Sequence, residues 1–526
     1  MLPNWLDHLG NWNPQLLREL KGRWTPRNLF LAIAFSLLIQ TLILGLFYSH
    51  LPQAASWEPT LSNPFCTGAE EYEAFRCLLD ASGQLLINWQ GWWSEICNVL
   101  SWILPLVLLV GGVCLTIADL AQEQQRGTFN FLRLSPQSSQ RIFQGKLWGV
   151  PSLLYLAVIL SLPLHLIAAQ RAGVPLALTI GFYAAVAACS GLVFSAGLLA
   201  TLAADLPVWS GAIAVLLILL GAMVFGELGR SLDSWQWFYL PLGSHRAIAL
   251  GLMLVAALVG NYWIWQALDR RYSNPSAPLL SKVQSYQLTA CWEFFLLGFV
   301  IRSPGMSPDN SGFSETLSLL FFAHLGLFLL LILALSPHRQ PLSDWARYRH
   351  EQAHVLPRQR PYRLLQDLVW GETSPAPLAI ALNLLLAIVI WAPWLMFGLE
   401  DPTPRRMLMG GLLLTSNLIL ILAVLSQGLL LLKTSKRLVW AAATLGGLVI
   451  LPPILLGMLS LYPTNAGTLW LLTAFPFPAW QHVARSTIVL EWLGQMVLLI
   501  WLLGQTTRQL HQLGASPLAA RLPSYP

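Results

Sequence analysis

The chain has 526 residues, of which 56% are apolar and 10% are charged, and its formal net charge is +6. An average globular protein has about 45–50% apolar and about 25% charged residues, so this chain lacks the charged side chains that a water-facing surface requires. The composition therefore excludes a soluble multidomain protein, a disordered chain, a disulfide-dense secreted scaffold and a soluble nucleic-acid-binding protein. It predicts an all-α polytopic membrane protein whose surroundings are the lipid bilayer.

Long apolar stretches set the number of predicted membrane spans. A spanning helix needs about 20 mostly apolar residues. Stretches of this kind lie at 28–48, 98–118, 147–169, 176–203, 208–226, 246–267, 313–335, 378–399, 407–432, 438–461 and 484–505. A further stretch, 288–302, is shorter and contains Glu293, so it is either a tilted span or a re-entrant segment. Counting it predicts twelve spans in two six-span-like halves, with both termini on the same side.

The positions of Lys and Arg predict which side that is. With a cytoplasmic N-terminus, 22 of the 30 Lys and Arg lie in cytoplasmic segments and eight lie on the other side. Cytoplasmic loops of membrane proteins carry such an excess of positive charge. We therefore predict a multi-pass protein of a bacterial inner (plasma) membrane with cytoplasmic N- and C-termini. The positive net charge reports this orientation and is no evidence for a nucleic-acid partner.

Segment 14–25 is predicted to be an amphipathic helix in the membrane interface. Asn13 followed by Pro14 is typical of a helix N-cap and first helical position. The residues assigned to this helix are Leu16, Leu17, Leu20 and Trp24 on one face and Glu19 elsewhere around it. The pattern L-L-x-[acid]-L returns at 364–368 ahead of another span. This favours an internal repeat, although any membrane-surface helix has a similar pattern.

Loop 49–97 contains two cysteines, Cys66 and Cys77. The loop is predicted to face outward, where an oxidising compartment permits a disulfide. Cys97 is a competing partner at the start of the next span. A Cys66–Cys77 disulfide and two free thiols both remain open.

Loop 119–146 carries large apolar residues in a segment predicted to be cytoplasmic. A turn at Gly127 and a turn at Ser135-Pro136 enclose a short apolar helix. Its apolar residues are Phe129, Phe131, Leu132 and Leu134, and Arg126, Arg133 and Arg141 flank them. An apolar cluster with a charged rim is typical of a docking site, but these side chains could equally pack on their own helix ends or touch lipid.

The same loop resembles a known family. The loop is similar to the cytoplasmic loop of permease subunits of type-2 ABC transporters, because it carries E-x-x-x-G-T, then L-x-x-S-P and finally G-K. The earlier pattern N-P-x-L-L-R-E-L is similar to the connecting helix of the same family. The matching loop positions are Glu123, Gly127, Thr128, Leu134, Ser135, Pro136, Gly145 and Lys146. The resemblance implies that the loop docks on an ATP-binding cassette subunit. The implied coupling residues are Glu123, Arg126, Gly127, Thr128, Phe129, Phe131, Leu132, Leu134, Ser135 and Pro136.

The resemblance also implies that a separate subunit, and not this chain, binds ATP. This chain has no G-x-x-x-x-G-K-[ST] phosphate-binding loop. ATP and Mg²⁺ are therefore expected on the partner subunit, with no cofactor and no catalytic residue on this chain. Export is the implied direction, and a homodimer or a second permease is the implied assembly.

The chain is predicted to have three parts. Residues 1–267 form the predicted permease unit, and 268–377 add two spans and a basic linker. Residues 378–526 form a four-span unit whose coupling to a nucleotide-binding subunit stays open.

Among the polar residues inside predicted spans, His324 lies nearest mid-span and is the candidate pathway residue. Polar groups in the bilayer are costly and often functional. A hydrogen bond between helices is the alternative role for His324.

An alternative function rests on a motif in the basic linker. His350-Glu351-Gln352-Ala353-His354 is an H-E-x-x-H sequence, which on a helix could bind zinc with Glu351 as general base. This would make the chain a membrane-embedded zinc metallohydrolase. Arg347 and Arg349 surround the motif with positive charge, which disfavours a dication, and we favour a solvated basic linker with no metal.

Overall fold

A computed structural model describes most of the chain. The described residues are 9–52, 62–71, 74–81, 83–204, 210–211, 213, 215–216, 235–301, 311–337, 339–355, 360–398, 402–434 and 436–514. The predicted span 208–226 lies almost entirely outside them. The chain divides into two compact units, one formed by Met1–Arg230 with Gly243–Tyr272 and the other by Ser231–Leu242 with Ser273–Pro526. Residues 273–377 thus belong to the same unit as the C-terminal helices.

The N-terminal unit consists of helices and a small sheet in the loop between two of them. Its helices are α1 (Pro14–Arg23), α2 (Pro26–Ser49), α3 (Trp89–Gln125), α4 (Thr128–Leu134), α5 (Ser139–Gly149), α6 (Ser152–Arg171), α7 (Leu176–Ala203) and α8 (Arg246–Ser273). Its strands are β1 (Ser62–Asn63), β2 (Glu70–Glu71) and β3 (Ala74–Arg76), paired antiparallel in the order β1-β3-β2. Helix α3 packs against α6 and α7, α2 against α6, and α1 against α5.

The second unit is also helical. It begins with the hairpin of β4 (Gln236–Trp237) and β5 (Leu240–Pro241). Its helices are α9 (Lys282–Leu297), α10 (Ser311–Leu335), α11 (Arg339–Val355), α12 (Arg360–Trp370), α13 (Pro377–Phe397), α14 (Pro402–Leu430), α15 (Arg437–Met458), α16 (Gly467–Leu471) and α17 (Arg485–Gly514), with a 3₁₀ helix at Phe477–His482. Helix α9 packs on α13, and α17 packs on both α11 and α14.

The long helices identify a polytopic membrane protein. Among the described residues, ten helices are long and apolar enough to cross a bilayer, and each coincides with a predicted span. Their many large apolar side chains on the outer surface are those that lipid would cover. Segment 288–302 differs from the expectation: helix α9 has 16 residues and ends at Leu297, which is short of the length a span needs.

Local sequence explains where several helices begin. The side chain of Asn13 accepts a hydrogen bond from Leu16 N at the start of α1, and that of Asn88 accepts one from Gly91 N at the start of α3. Ser281 and Gln284 form a reciprocal capping box at the start of α9. Such caps satisfy backbone N–H groups that have no partner within the helix.

A disulfide joins Cys66 to Cys77 in the loop between α2 and α3. Both cysteines are buried, and Cys66 also pairs with Ile87 through an isolated β-bridge. Cys97 is a free, buried thiol. The disulfide cross-links the segment after β1 to the residue after β3, and the Cys66–Ile87 bridge joins this region to the segment before α3.

Peptide mapping can check this disulfide. In a non-reducing digest of the purified protein, the peptides that carry Cys66 and Cys77 should be recovered as one linked species that separates on reduction. Cys97 is the internal control, because it should stay unlinked throughout. A link between Cys97 and either of the other two cysteines would contradict the structure.

Candidate functional site: an apolar loop helix anchored by a buried ion cluster

A left-handed turn at Gly127 places α4 after the long helix α3. Gly127 has φ 72° and ψ −1°, and nothing lies within 4 Å of the position that a Cβ atom would occupy. The backbone conformation, rather than lack of space, is therefore what favours glycine. The Thr128 hydroxyl donates to the carbonyl of Glu123 at 3.2 Å, which joins the first residue of α4 back to α3.

The inner face of α4 is held by aromatic packing. Phe129 is buried, and its ring meets Tyr272 edge-on with 5.9 Å between ring centroids. The Arg133 guanidinium carbon lies 4.9 Å from the Phe129 ring centroid, a cation–π contact. The Tyr272 hydroxyl donates to the carbonyl of Leu132 at 2.8 Å. Helix α4 is thus fixed against α8, which carries Tyr272.

The outer face of α4 presents two large apolar side chains. Phe131 is 76% exposed and Leu134 is 84% exposed. Of the four apolar residues singled out in this loop, the structure therefore buries Phe129, half-buries Leu132 and exposes the other two. The surface of Phe131 and Leu134 is called the loop-helix patch below.

The turn after α4 leads into α5. Ser135 has the extended backbone that a residue before proline favours, and its hydroxyl donates to the carbonyl of Leu132 at 2.7 Å. Ser138 then caps α5 by accepting a hydrogen bond from Arg141 N. The Ser139 hydroxyl donates to the Asp269 carboxylate of α8. Both ends of the short apolar helix are therefore attached to longer helices.

Two glycines one turn apart let α5 approach α1 closely. A Cβ atom on Gly145 would lie 2.8 Å from the Gln15 Cβ, and one on Gly149 would lie 2.4 Å from the Glu19 Cβ. Small residues at this spacing allow helix backbones to pack against each other. Gly149 was not among the predicted site residues, although its i, i+4 spacing from Gly145 was readable in the sequence.

Lys146 lies between these glycines, and its side chain is fully buried. Its Nζ is 2.5 Å from Asp119 Oδ2, 2.8 Å from Glu123 Oε2 and 3.7 Å from Glu19 Oε1. Asp119 and Glu123 belong to α3, and Glu19 belongs to α1. One ammonium group therefore joins the interfacial helix, the long helix and the loop.

Two arginines of α1 complete this arrangement. Arg23 lies 2.5 Å from Glu19 Oε2 and 2.6 Å from Asp119 Oδ1, and Arg18 pairs with Glu123. We call the six residues the ion cluster; its members are Arg18, Glu19, Arg23, Asp119, Glu123 and Lys146. Three positive and three negative side chains balance, as buried charges require.

Glu19 occupies an unexpected position. It lies on the buried face of α1 with Gln15 and Leu16, whereas Leu17 and Leu20 are half-buried and Trp24 is exposed. Burial, followed by the nearby charge of Asp119, raises the pKa of the Glu19 carboxyl above its usual range. The Gln15 side chain donates to Glu19 Oε1 at 2.8 Å, which satisfies part of that buried carboxyl.

The three carboxylates also have the spacing of a metal site. Oxygen atoms of Glu19, Asp119 and Glu123 lie within 4.8 Å of one another. The Lys146 ammonium lies within ion-pair distance of all three, so it already supplies the positive charge at this position. We therefore interpret the group as an ion cluster rather than a metal centre.

The candidate pathway residue His324 forms a buried pair. Its Nδ1 lies 2.8 Å from Glu293 Oε1, and the Trp391 indole donates to Glu293 Oε2 at 2.8 Å. His324 Nε2 is buried and has no hydrogen-bond partner among the described residues. His324 and Trp391 also border a cavity of about 70 Å³. The structure thus shows the interhelical hydrogen bond, and the pathway role of His324 stays a prediction.

The H-E-x-x-H motif lies on α11, which is helical as far as Val355. His350 is exposed. The side chains of Glu351 and His354 lie outside the described residues. The zinc assignment therefore stays a prediction.

None of three comparisons with known proteins gave a match: no protein-family model, no curated protein and no solved structure matches this chain.

Replacing Lys146 tests the ion cluster. Lys146→Met should lower the free energy of unfolding by about 3–5 kcal/mol, because three buried carboxylates lose their shared partner. Reversible unfolding in mixed detergent measures this. The matched control is Lys21→Met on the exposed face of α1, which should stay within about 0.5 kcal/mol of wild type. Equal effects of the two substitutions would contradict the assignment.

A double-mutant cycle tests the pair in the second unit. His324→Leu and Glu293→Leu should each destabilise the protein, because each leaves the other polar group buried without its partner. The double variant should be less destabilised than the sum of the two, with a coupling of about 0.5–3 kcal/mol. Additive effects in the same unfolding assay would show that the two side chains act independently.

Proposed function

We propose that this chain is the permease subunit of an ATP-driven exporter of the type-2 ABC class. Loop 119–146 is the proposed docking element for a separate ATP-binding cassette subunit. In this proposal the chain resides in the bacterial inner (plasma) membrane with a cytoplasmic N-terminus. Twelve spans and a cytoplasmic C-terminus require that segment 288–302 crosses the bilayer, although its helix α9 ends at Leu297. The observation that carries the proposal is the loop-helix patch, two exposed apolar side chains on a helix whose opposite face is anchored.

Anchoring matters because a docking surface binds more tightly when it is ordered before binding. Phe131 and Leu134 point away from a helix that Gly127, Phe129 and Tyr272 hold in place. Large apolar side chains with a charged rim are typical of binding hot spots. The patch is therefore suited to a protein partner with a complementary apolar pocket.

The length of α3 supports a position of the patch outside the bilayer. The helix has 37 residues, which corresponds to about 56 Å at 1.5 Å per residue, whereas the hydrocarbon core is about 30 Å thick. Its apolar stretch, 98–118, has about the length of the core, so the ends of the helix extend beyond it. Asp119 directly follows this stretch, and loop 119–146, which carries the patch, continues from there.

The disulfide supports the proposed orientation. Disulfides persist in oxidising compartments and are rare in the cytosol. The Cys66–Cys77 bond therefore favours an outward-facing loop between α2 and α3. Since α3 crosses the membrane once, the patch at its other end faces the cytoplasm, where ATP is available.

The ion cluster connects the docking loop mechanically to the long helices. ATP-driven closure of the partner would push on α4 and α5, and Lys146 connects α5 to Asp119 and Glu123 of α3 and to Glu19 of α1. The partner would bind ATP and Mg²⁺ and carry out hydrolysis. The membrane helices would alternate between an inward-open and an outward-open conformation. Closure of the partner would increase the population of the outward-open conformation. A second copy of the chain, or a second permease, completes the proposed pathway.

Co-purification with the ATP-binding partner, together with ATP hydrolysis that depends on this chain, tests the proposal. Phe131→Asp should weaken the complex by at least about 30-fold, as expected for loss of a hot spot of about 2 kcal/mol. Asn130→Asp is the matched control, since it adds the same charge to an exposed position of the same helix.

Two outcomes would contradict the proposal. One is the absence of any nucleotide-hydrolysing partner whose binding depends on Phe131. The other is stoichiometric zinc in the purified protein that is lost in His350→Ala, which would favour the hydrolase alternative.

A further inference from the structure

The second unit contains a cavity that the proposed coupling mechanism does not use. Its volume is about 360 Å³, within the range of small-molecule sites. Side chains from five helices, α11, α12, α13, α14 and α17, line it. We call it the five-helix cavity.

Most of its wall is apolar. Leu368, Leu378, Val424, Leu503 and Leu510 are among the lining residues. Such a surface favours hydrocarbon over water. A small polar metabolite alone would leave it uncovered.

The charged and titratable part of the wall is entirely basic. Among the described lining residues, Arg349, His350 and His511 carry ionisable side chains, and none is acidic. Arg349 Nε lies 3.5 Å from Asp367 Oδ2, which holds the guanidinium at the cavity edge. The wall therefore combines an apolar surface with a site for a negative charge.

Two further groups support an oxygen-rich ligand. Trp345 lines the cavity, and its indole N–H is shielded from solvent and has no hydrogen-bond partner among the described residues. Behind the wall, the buried Lys282 ammonium donates to the carbonyls of Leu368 at 2.7 Å and Pro375 at 3.2 Å. Both residues line the cavity, so this part of the wall is fixed and adjacent to a positive charge.

The cavity lies where membrane helices end. Helix α10 ends at Leu335 shortly before α11, α13 begins at Pro377, and α17 ends at Gly514. Pro377 and Gly514 both line the cavity. The end of a span is the depth at which a lipid changes from acyl chain to headgroup.

We propose that the five-helix cavity binds an anionic phospholipid. Part of an acyl chain lies against the leucines, the phosphate lies against Arg349, His350 and His511, and the Trp345 indole donates to a phosphate or ester oxygen. This site is independent of the loop-helix patch and of the proposed ATP-binding partner.

Fluorescence quenching by brominated lipids tests the site. The full chain is reconstituted with brominated phosphatidylglycerol or with acyl-matched brominated phosphatidylcholine, and the signal of Trp345 is isolated by subtracting the signal of Trp345→Phe. Phosphatidylglycerol should quench Trp345 at about fivefold lower mole fraction than phosphatidylcholine, since basic groups attract anionic lipid.

Two substitutions on α17 separate the cavity from the general surface charge. His511→Gln removes a basic group that lines the cavity and should reduce the preference for phosphatidylglycerol to about twofold or less. Arg508→Gln removes an exposed charge that does not line the cavity and should leave the preference unchanged.

A third substitution tests occupancy of the cavity itself. Thr506→Phe fills the cavity and should abolish Trp345 quenching by both lipids while the protein stays folded.

Four results would overturn the proposal. Equal quenching by the two lipids would show that no anionic headgroup is selected, and unquenched Trp345 would show that no acyl chain enters. Relief of quenching by millimolar inorganic phosphate would identify a site for free anions. Quenching by a brominated fatty acid but not by phosphatidylglycerol would identify a fatty-acid site.

Discussion

The arrangement of the N-terminal unit depends on one buried ammonium group. Lys146 has no exposure to solvent, and a buried charge is tolerated only when opposite charges and hydrogen bonds surround it. Its partners come from α1 and α3, so these helices and α5 must meet at one point. The glycines on either side of Lys146 allow the backbones to approach closely enough for that contact. A separate contact leaves Phe131 exposed, because Phe129 on the opposite face of α4 packs against Tyr272.

The second unit meets a similar requirement with different acceptors. Lys282 is also buried, and its ammonium donates to the carbonyls of Leu368 and Pro375 and to the Ser374 hydroxyl. Burial lowers the pKa of Lys282 to about 8, partly offset by Asp367, and three acceptors use all three donors of the protonated amine. In both units a buried lysine therefore contacts an amphipathic helix that carries the L-L-x-[acid]-L pattern. Carboxylates hold the first lysine, and backbone and hydroxyl oxygens hold the second.

Sequence patterns predicted the local features well where one physical requirement dominates. Long apolar runs predicted each of the ten candidate spans, because a bilayer imposes a minimum length on a helix. The Gly127 and Ser135-Pro136 turns were readable because few residues adopt those backbone conformations. The stretch at 288–302 was harder to interpret, since Glu293 interrupts it and its partners His324 and Trp391 lie on other helices.

The sequence alone determined that this is a helical membrane protein with an apolar loop after its second span, because composition and hydropathy act locally along the chain. It could not determine which face of α4 would be buried. Phe129 and Phe131 are two positions apart and chemically identical, and only contact with Tyr272 from a distant helix distinguishes them. Nor could it reveal that Glu19, on a helix expected to lie on the membrane surface, would be buried against Lys146. That outcome depends on long-range charge pairing and close helix packing, which only the tertiary structure decides.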